Sequence, residues 1–311
     1  MLISTNYTWD FWYLYDANEM IFHVLFLNAD HKYVASGQHH LHSQIGYAKT
    51  RDFIEFENIS DNVFSATKNG WDNTSIWSGC LIMRGKEICL FYTSRTDGED
   101  DGFTQHIGLA KSVDFLDWER LDNPVSSADE KYYETKTVKG GKSIHAWRDP
   151  FVFPSNDGSY YMLIAAQSKI HVNGRNGAIA ILKSKKNDIT SWKSLPPIYD
   201  PGCFAEIELP QAYRTVDSKI DILFNCWAKN DLSSSKKKGG LYSVKTTDIL
   251  SNVTNNSIKE CDNIVNESSG LYGLRPVLER DSTIFGFDTK CGGIISSSIK
   301  NKLFFIDDID S

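Results

Sequence analysis

The feature that constrains this chain most is an internal repeat. The segment Ile45-Gly46-Tyr47-Ala48-Lys49-Thr50-Arg51-Asp52-Phe53-Ile54-Glu55-Phe56 returns as Ile107-Gly108-Leu109-Ala110-Lys111-Ser112-Val113-Asp114-Phe115-Leu116-Asp117-Trp118. A looser copy runs from Ile179 through Ala180, Lys183 and Ser184 to Trp192. Another runs from Leu241 through Ser243, Val244, Lys245 and Thr246 to Ile249, so the intervals are 62, 72 and 62 residues. Ahead of each copy lies a short apolar run: Ile21 to Leu27, Ile88 to Thr93, Tyr160 to Ala166 and Ile220 to Asn225. A fifth run, Thr283 to Asp288, follows at a similar spacing, and five such units nearly fill the 311 residues. Each unit holds three or four strand-like runs and no long helical period. Polar turns such as Ser155-Asn156-Asp157-Gly158 separate the runs.

One such unit cannot bury both faces of its own sheet, so neighbours must cover them. The chain is therefore expected to be all-β, a single five-bladed β-propeller over residues 1–311 with a four-stranded antiparallel sheet in each blade and no C-terminal β-sandwich. The repeat of WD propellers, about 40–45 residues, is too short to match. Two stacked β-sandwiches would not produce five near-equal units. The recurring aromatic, Phe56, Trp118 and Trp192, is expected to plug the gap between blades.

Composition excludes several function classes. Charged residues are 23% and hydrophobic ones 41%, which marks a globular chain, and 13% aromatics with only 8 Pro lean towards strands. The net charge of −7, from 33 basic and 40 acidic residues, argues against a nucleic-acid surface. The basic run Lys236 to Lys238 reads as a solvated loop tip. No stretch approaches the roughly 18–20 apolar residues of a membrane span, and a polar, Trp-rich stretch begins by Asn6 where a signal peptide would be apolar. The six cysteines show neither a CxxC pair nor zinc-ligand spacing and are expected to be reduced and structural. A soluble cytoplasmic protein is the expectation.

In a propeller the innermost strands converge on the axis, and here they are expected to open each blade, just before the apolar runs. Those openings are Trp9-Asp10-Phe11-Trp12, Trp77-Ser78-Gly79, Trp147-Arg148-Asp149-Pro150, Glu206-Ile207-Glu208-Leu209-Pro210 and Tyr272-Gly273-Leu274-Arg275. Alone, Asp10 reads as a turn or cap, Arg148-Asp149 as a local ion pair and Glu208 as a strand end. Their occurrence at equivalent positions of blades one, three and four points instead to a site, because charge near a narrow axis is costly without a task. Two carboxylates flanking a scissile bond are what glycoside cleavage needs. Arg148 is expected to hold Asp149 ionised, ready to accept hydrogen bonds from sugar hydroxyls. Trp9, Trp12 and Trp77 offer faces on which a sugar ring stacks, with Ser78 as a polar contact.

With these residues in place, the chain resembles the five-bladed propeller glycosidases of the β-fructofuranosidase and levansucrase superfamily, glycoside hydrolase families 32 and 68, and more distantly family 43. Trp9-Asp10-Phe11-Trp12 is similar to the levansucrase block that carries the nucleophile. Trp77-Ser78-Gly79 is similar to the family 32 block lining the sugar pocket. Arg148-Asp149-Pro150 resembles the shared Arg-Asp-Pro motif, and Glu208-Leu209-Pro210 the motif of the general acid/base. The resemblance implies a retaining β-fructofuranosidase acting on sucrose or fructo-oligosaccharides, with transfer to a sugar acceptor as a variant. Asp10 would be the nucleophile, Glu208 the acid/base and Asp149 the transition-state stabiliser, with Arg148 in support. The implied partner is a small carbohydrate, and neither a metal nor an organic cofactor is called for.

Alternatives stand beside this reading. An inverting arabinofuranosidase or xylosidase of the family 43 type would use Asp10 as base and Glu208 as acid. A non-catalytic carbohydrate-binding propeller would keep the pocket without turnover. Glu206 and Glu208 are two apart on an expected strand and so point to the same face, which makes Glu206 the other candidate acid. His39, His40 and His42 read as a loop more readily than as metal ligands. Arg95-Thr96-Asp97, Gln105-His106 and His145 are candidates for the pocket rim, and Tyr272 with Arg275 for its floor.

Overall fold

The computed structural model describes residues 3–96, 104–135, 146–171, 174–233, 238–247, 249–250, 260–300 and 303–306. The first blade is β1 (Tyr7–Asp16), β2 (Ile21–Ala29), β3 (Gln44–Thr50) and β4 (Phe56–Phe64). The second is β5 (Ser75–Arg84), β6 (Glu87–Arg95), β7 (Gln105–Ser112) and the short β8 (Glu119–Arg120). The third is β9 (Trp147–Pro154), β10 (Tyr160–Gln167), β11 (Gly177–Lys185) and β12 (Asp188–Ser194). The fourth is β13 (Glu208–Thr215), β14 (Ile220–Cys226), β15 (Gly240–Thr246) and β16 (Asp262–Asn266). The fifth is β17 (Leu271–Val277), β18 (Thr283–Asp288) and β19 (Ile294–Lys300).

All neighbouring strands pair antiparallel, and the five sheets form the five-bladed propeller that the repeat demands. The final strand β20 (Leu303–Phe304) does not join the fifth sheet. It pairs with Thr215 and Arg214 at the far end of β13, so among the described residues the fourth sheet has five strands and the fifth has three. No helix among the described residues is long and apolar enough to cross a membrane.

The apolar runs are the second strands, and both their faces are buried. In β6, Cys89 and Phe91 enter the core shared with blade three while Leu90 and Tyr92 enter the core shared with blade one. In β2, Leu25 and Leu27 face blade two, and Val24 and Phe26 face blade five. The two-residue side-chain period of a strand therefore feeds two cores from one continuous apolar run. Five apolar cores result, each between consecutive blades. The one joining Val24 and Phe26 to Val277 and Phe285 closes the ring. Phe56, Trp118 and Trp192 each pack against the core shared with the preceding blade.

The repeated segment encodes the third strand and the turn after it. Thr50 and Ser112 end β3 and β7 and accept hydrogen bonds from the amides of Phe53 and Phe115, both at 3.0 Å. Asp52 and Asp114 each accept from two amides further on. Short polar side chains that satisfy nearby backbone donors favour such turns over further strand. At Gly46 and Gly108 any Cβ would overlap the ring of Phe26 or Tyr92 on the adjacent strand. In Ser155-Asn156-Asp157-Gly158 the Gly158 amide donates to the Ser155 carbonyl at 3.1 Å, closing the expected turn between β9 and β10.

Candidate active site

The five inner strands β1, β5, β9, β13 and β17 open their blades, and each carries a β-bulge near its start. Trp9 and Asp10 together oppose Leu27, and Ser78 is the extra residue between Trp77 and Gly79. Asp149 with Pro150, Leu209 with Pro210, and Gly273 with Leu274 fill the corresponding places. A bulge breaks the pleat and re-aims a side chain. Asp149, Leu209 and Gly273 reach it with φ of 60°, 51° and 60°.

The bulges ring one end of the channel, where a cavity of about 620 Å³ is lined by Asp10, Ser78, Arg148, Asp149, Glu206 and Glu208. Trp9, Trp77, Trp227 and Tyr272 contribute aromatic wall. Ser78 Oγ donates to Asp10 Oδ2, and the Asp149 amide donates to Thr93 Oγ1 at 2.9 Å. Asp149 Oδ2 accepts from the Leu209 amide at 3.1 Å. Glu208 accepts from Arg148 Nη2 at 3.0 Å through one oxygen and from the Tyr272 hydroxyl through the other. Tyr272 stacks on Trp227 with centroids 3.7 Å apart.

Burial pushes the Asp10 carboxyl up to about 6. The hydrogen bond from Ser78 and the charge of Arg275 pull against the rise, and Glu208 adds to it. Burial also pushes Asp149 up to about 7; the charge of the neighbouring Arg148 pulls against the rise, and the negative charges of Glu208 and Asp10 add to it. The expectation that Arg148 holds Asp149 ionised therefore needs correction. Arg148 Nε lies 3.7 Å from Asp149, but Arg148 is shared with Glu208 and, at 3.6 Å, with Glu206.

Eight residues stood out in the sequence as catalytic or sugar-binding, and seven line this cavity: Trp9, Asp10, Trp77, Ser78, Arg148, Asp149 and Glu208. Trp12 does not. The bulge at Trp9-Asp10 breaks the alternation that would have put Trp12 beside Asp10, and Trp12 lies buried in the core between blades one and two. Glu206 precedes β13 and is not on a strand, yet it reaches the cavity and accepts from Asn230 at 3.1 Å. Arg95 and Tyr272 line the cavity as well, whereas Arg275 does not. Asp97 and His145 lie outside the described residues.

His40, read from the sequence as part of a loop, lines the cavity, and so do Trp227 and Lys229, which the sequence reading does not single out. His40 lies edge-on to Trp9 and Trp77, and its crowded place beside the positive charges of Arg148, Arg95 and Lys229 lowers its pKa. Trp227 follows β14 directly and reaches Tyr272 only because the chain turns there, which no local pattern signals.

A five-bladed propeller with three carboxylates at or beside the bulges of its inner strands defines a glycosidase-type scaffold. The chain belongs to glycosyl hydrolase family 32: residues 12–264 match the family's N-terminal domain. It is 28% identical over 144 residues to a sucrose-6-phosphate hydrolase of Lactococcus lactis subsp. lactis, a match covering 46% of this chain and 27% of that protein. A second sucrose-6-phosphate hydrolase, from Bacillus subtilis (strain 168), is 27% identical over 157 residues, covering 50% and 28%. The matched region thus spans little more than a quarter of either curated relative. The β-fructofuranosidase catalytic domain of Microbacterium saccharophilum K-1 shares the fold, with a TM-score of 0.73 over 96% of this chain and 79% of that one at 16% identity.

Proposed function

We propose that the chain is a retaining glycosidase that cleaves the fructosyl bond of a β-fructofuranoside. The observation carrying this reading is that Asp10, Asp149 and Glu208, distant in sequence, share one cavity, where Arg148 bridges Asp149 and Glu208, Ser78 donates to Asp10 and Tyr272 donates to Glu208.

In the first step an Asp10 carboxylate oxygen attacks the anomeric carbon. The bond to the leaving oxygen breaks as Glu208 delivers its proton to that oxygen. In the second step water attacks the same carbon, gives its proton to Glu208 and displaces Asp10. Asp149 and Arg148 hold the furanose hydroxyls, through contacts that strengthen as positive charge grows on the ring. Trp9 and Trp77 supply the stacking faces.

Support for a phosphorylated substrate comes from the named activity of the two curated relatives and from the cationic Arg95 and Lys229 on the cavity wall. Sucrose 6-phosphate therefore belongs in the substrate panel beside sucrose, fructo-oligosaccharides and aryl arabinosides. Hydrolysis of a fructoside by the wild type, abolished in Asp10→Asn and in Glu208→Gln with the fold intact, is the expected result. Cleavage of arabinosides alone would favour the inverting reading, and no turnover of any furanoside a binding module.

A further inference from the structure

The inner strands also enclose a cavity at the end opposite Asp10. It measures about 300 Å³ and is walled by Trp12, Leu81, Phe151, Phe153, Tyr213 and Phe305. Except for Phe305, these residues come from beyond the bulges of β1, β5, β9 and β13, whereas the upper cavity is lined from the bulges and the segments around them. One charged side chain reaches this lower cavity, Arg275 of β17. Arg275 is 8% exposed, its Nε has no hydrogen-bond partner, and it forms no ion pair among the described residues. Its guanidinium lies over the Phe11 ring at 5.4 Å from the centroid.

A guanidinium withdrawn from water without an anion in contact is costly. The other unpartnered polar atom on this wall, Trp12 Nε1, is also a donor. The wall's hydroxyls are already engaged: Tyr213 donates to Gln211 at 2.8 Å and Tyr13 to Glu279 at 3.0 Å. Among the described residues no negatively charged acceptor lines the cavity, and the charge of Arg275 is felt at Asp10 without an ion pair between them. Its remaining walls are aromatic and aliphatic, which disfavours a strongly hydrated inorganic ion and suits an apolar body. A planar carboxylate is the group that a guanidinium pairs with most directly.

We propose that the lower cavity binds a small organic carboxylate, its charge paired with Arg275 and its aromatic or short aliphatic body held between Phe151 and Tyr213. Calorimetry on the full chain with phenylacetate and with phenylacetamide tests this, together with a crystal soaked in 4-bromophenylacetate. The expected result is saturable binding of the carboxylate, about ten-fold or more tighter than the amide, with the bromine between Phe151 and Tyr213. Arg275→Met, its fold checked by circular dichroism, should lose the preference for the carboxylate. No binding by the wild type, equal binding of the amide, or bromine in the upper cavity beside Arg148 would overturn the proposal. If Arg275→Met does not fold, the wild-type comparison and the bromine position decide the matter by themselves.

Discussion

The hydroxyl of Ser78, on the second blade, donates a hydrogen bond to the Asp10 carboxylate on the first. This contact stabilises the charged form of a buried group whose pKa is already raised to about 6, and so opposes the effect of burial. Asp10 must be ionised to attack, so kcat/KM should climb as pH rises through about 6. In Ser78→Ala the carboxylate loses this donor and its pKa rises further, so the acid limb should move to higher pH. A pH–rate profile of the two proteins checks it.

Asp149 shows the cost of the site in stability. Its folded pKa of about 7 lies above the ordinary 3.8, so the folded state binds the proton more tightly than the unfolded one. Its contribution is thus fully present below about 3.8 and is lost as pH rises through about 7. Asp149→Asn, which cannot ionise, should therefore gain Tm relative to wild type as pH is raised from 4 to 8, while losing activity. Thermal unfolding across that range measures the difference.

Tyr272 is placed to act on Glu208 and not on the fold alone. Its hydroxyl reaches Glu208, while its ring is held by stacking on Trp227. Tyr272→Phe keeps the ring and removes the donor. A hydrogen bond to a charged group is worth about 1.5–3 kcal/mol, so kcat should fall roughly ten- to hundred-fold with little change in Tm. Steady-state kinetics beside thermal unfolding separates the two effects.

Gly273 is required by both space and conformation. Its φ is +60°, and a Cβ there would stand 2.6 Å from Asp10 Oδ1. Gly273→Ala should cost about 1 kcal/mol or more from the backbone strain and displace the Asp10 carboxylate. Its activity loss should exceed what the change in Tm accounts for.

The fold was legible because its determinants are local and periodic. The Thr50-Asp52 and Ser112-Asp114 turns, the apolar runs of β2, β6, β10, β14 and β18, and the spacing between them all lie in the one-dimensional pattern. The bulges were not legible. They depend on how Leu27 or Phe224 pairs across the sheet, so Trp12, two residues from Asp10, lies in the core and not at the cavity, and Glu206 precedes the strand that Glu208 opens. The charge state of Asp149 was misjudged for a related reason. Arg148 is adjacent in sequence, but the depth of burial and the share that Glu206 and Glu208 take of its charge are properties of the assembled ring. β20 bypasses the fifth blade to pair with β13, a long-range choice that nothing in Leu303-Phe304 announces.

The role of Asp10 as nucleophile is tested most directly by trapping its ester. Fructosyl fluoride needs no proton for departure, and Glu208→Gln lacks the base that would release the intermediate, so the covalent species should accumulate. Intact-mass analysis should show a gain of one fructosyl residue, and peptide fragmentation should place it on Asp10. A label on Asp149 or Glu206, or turnover of the fluoride with no labelled protein at any time, would contradict the account.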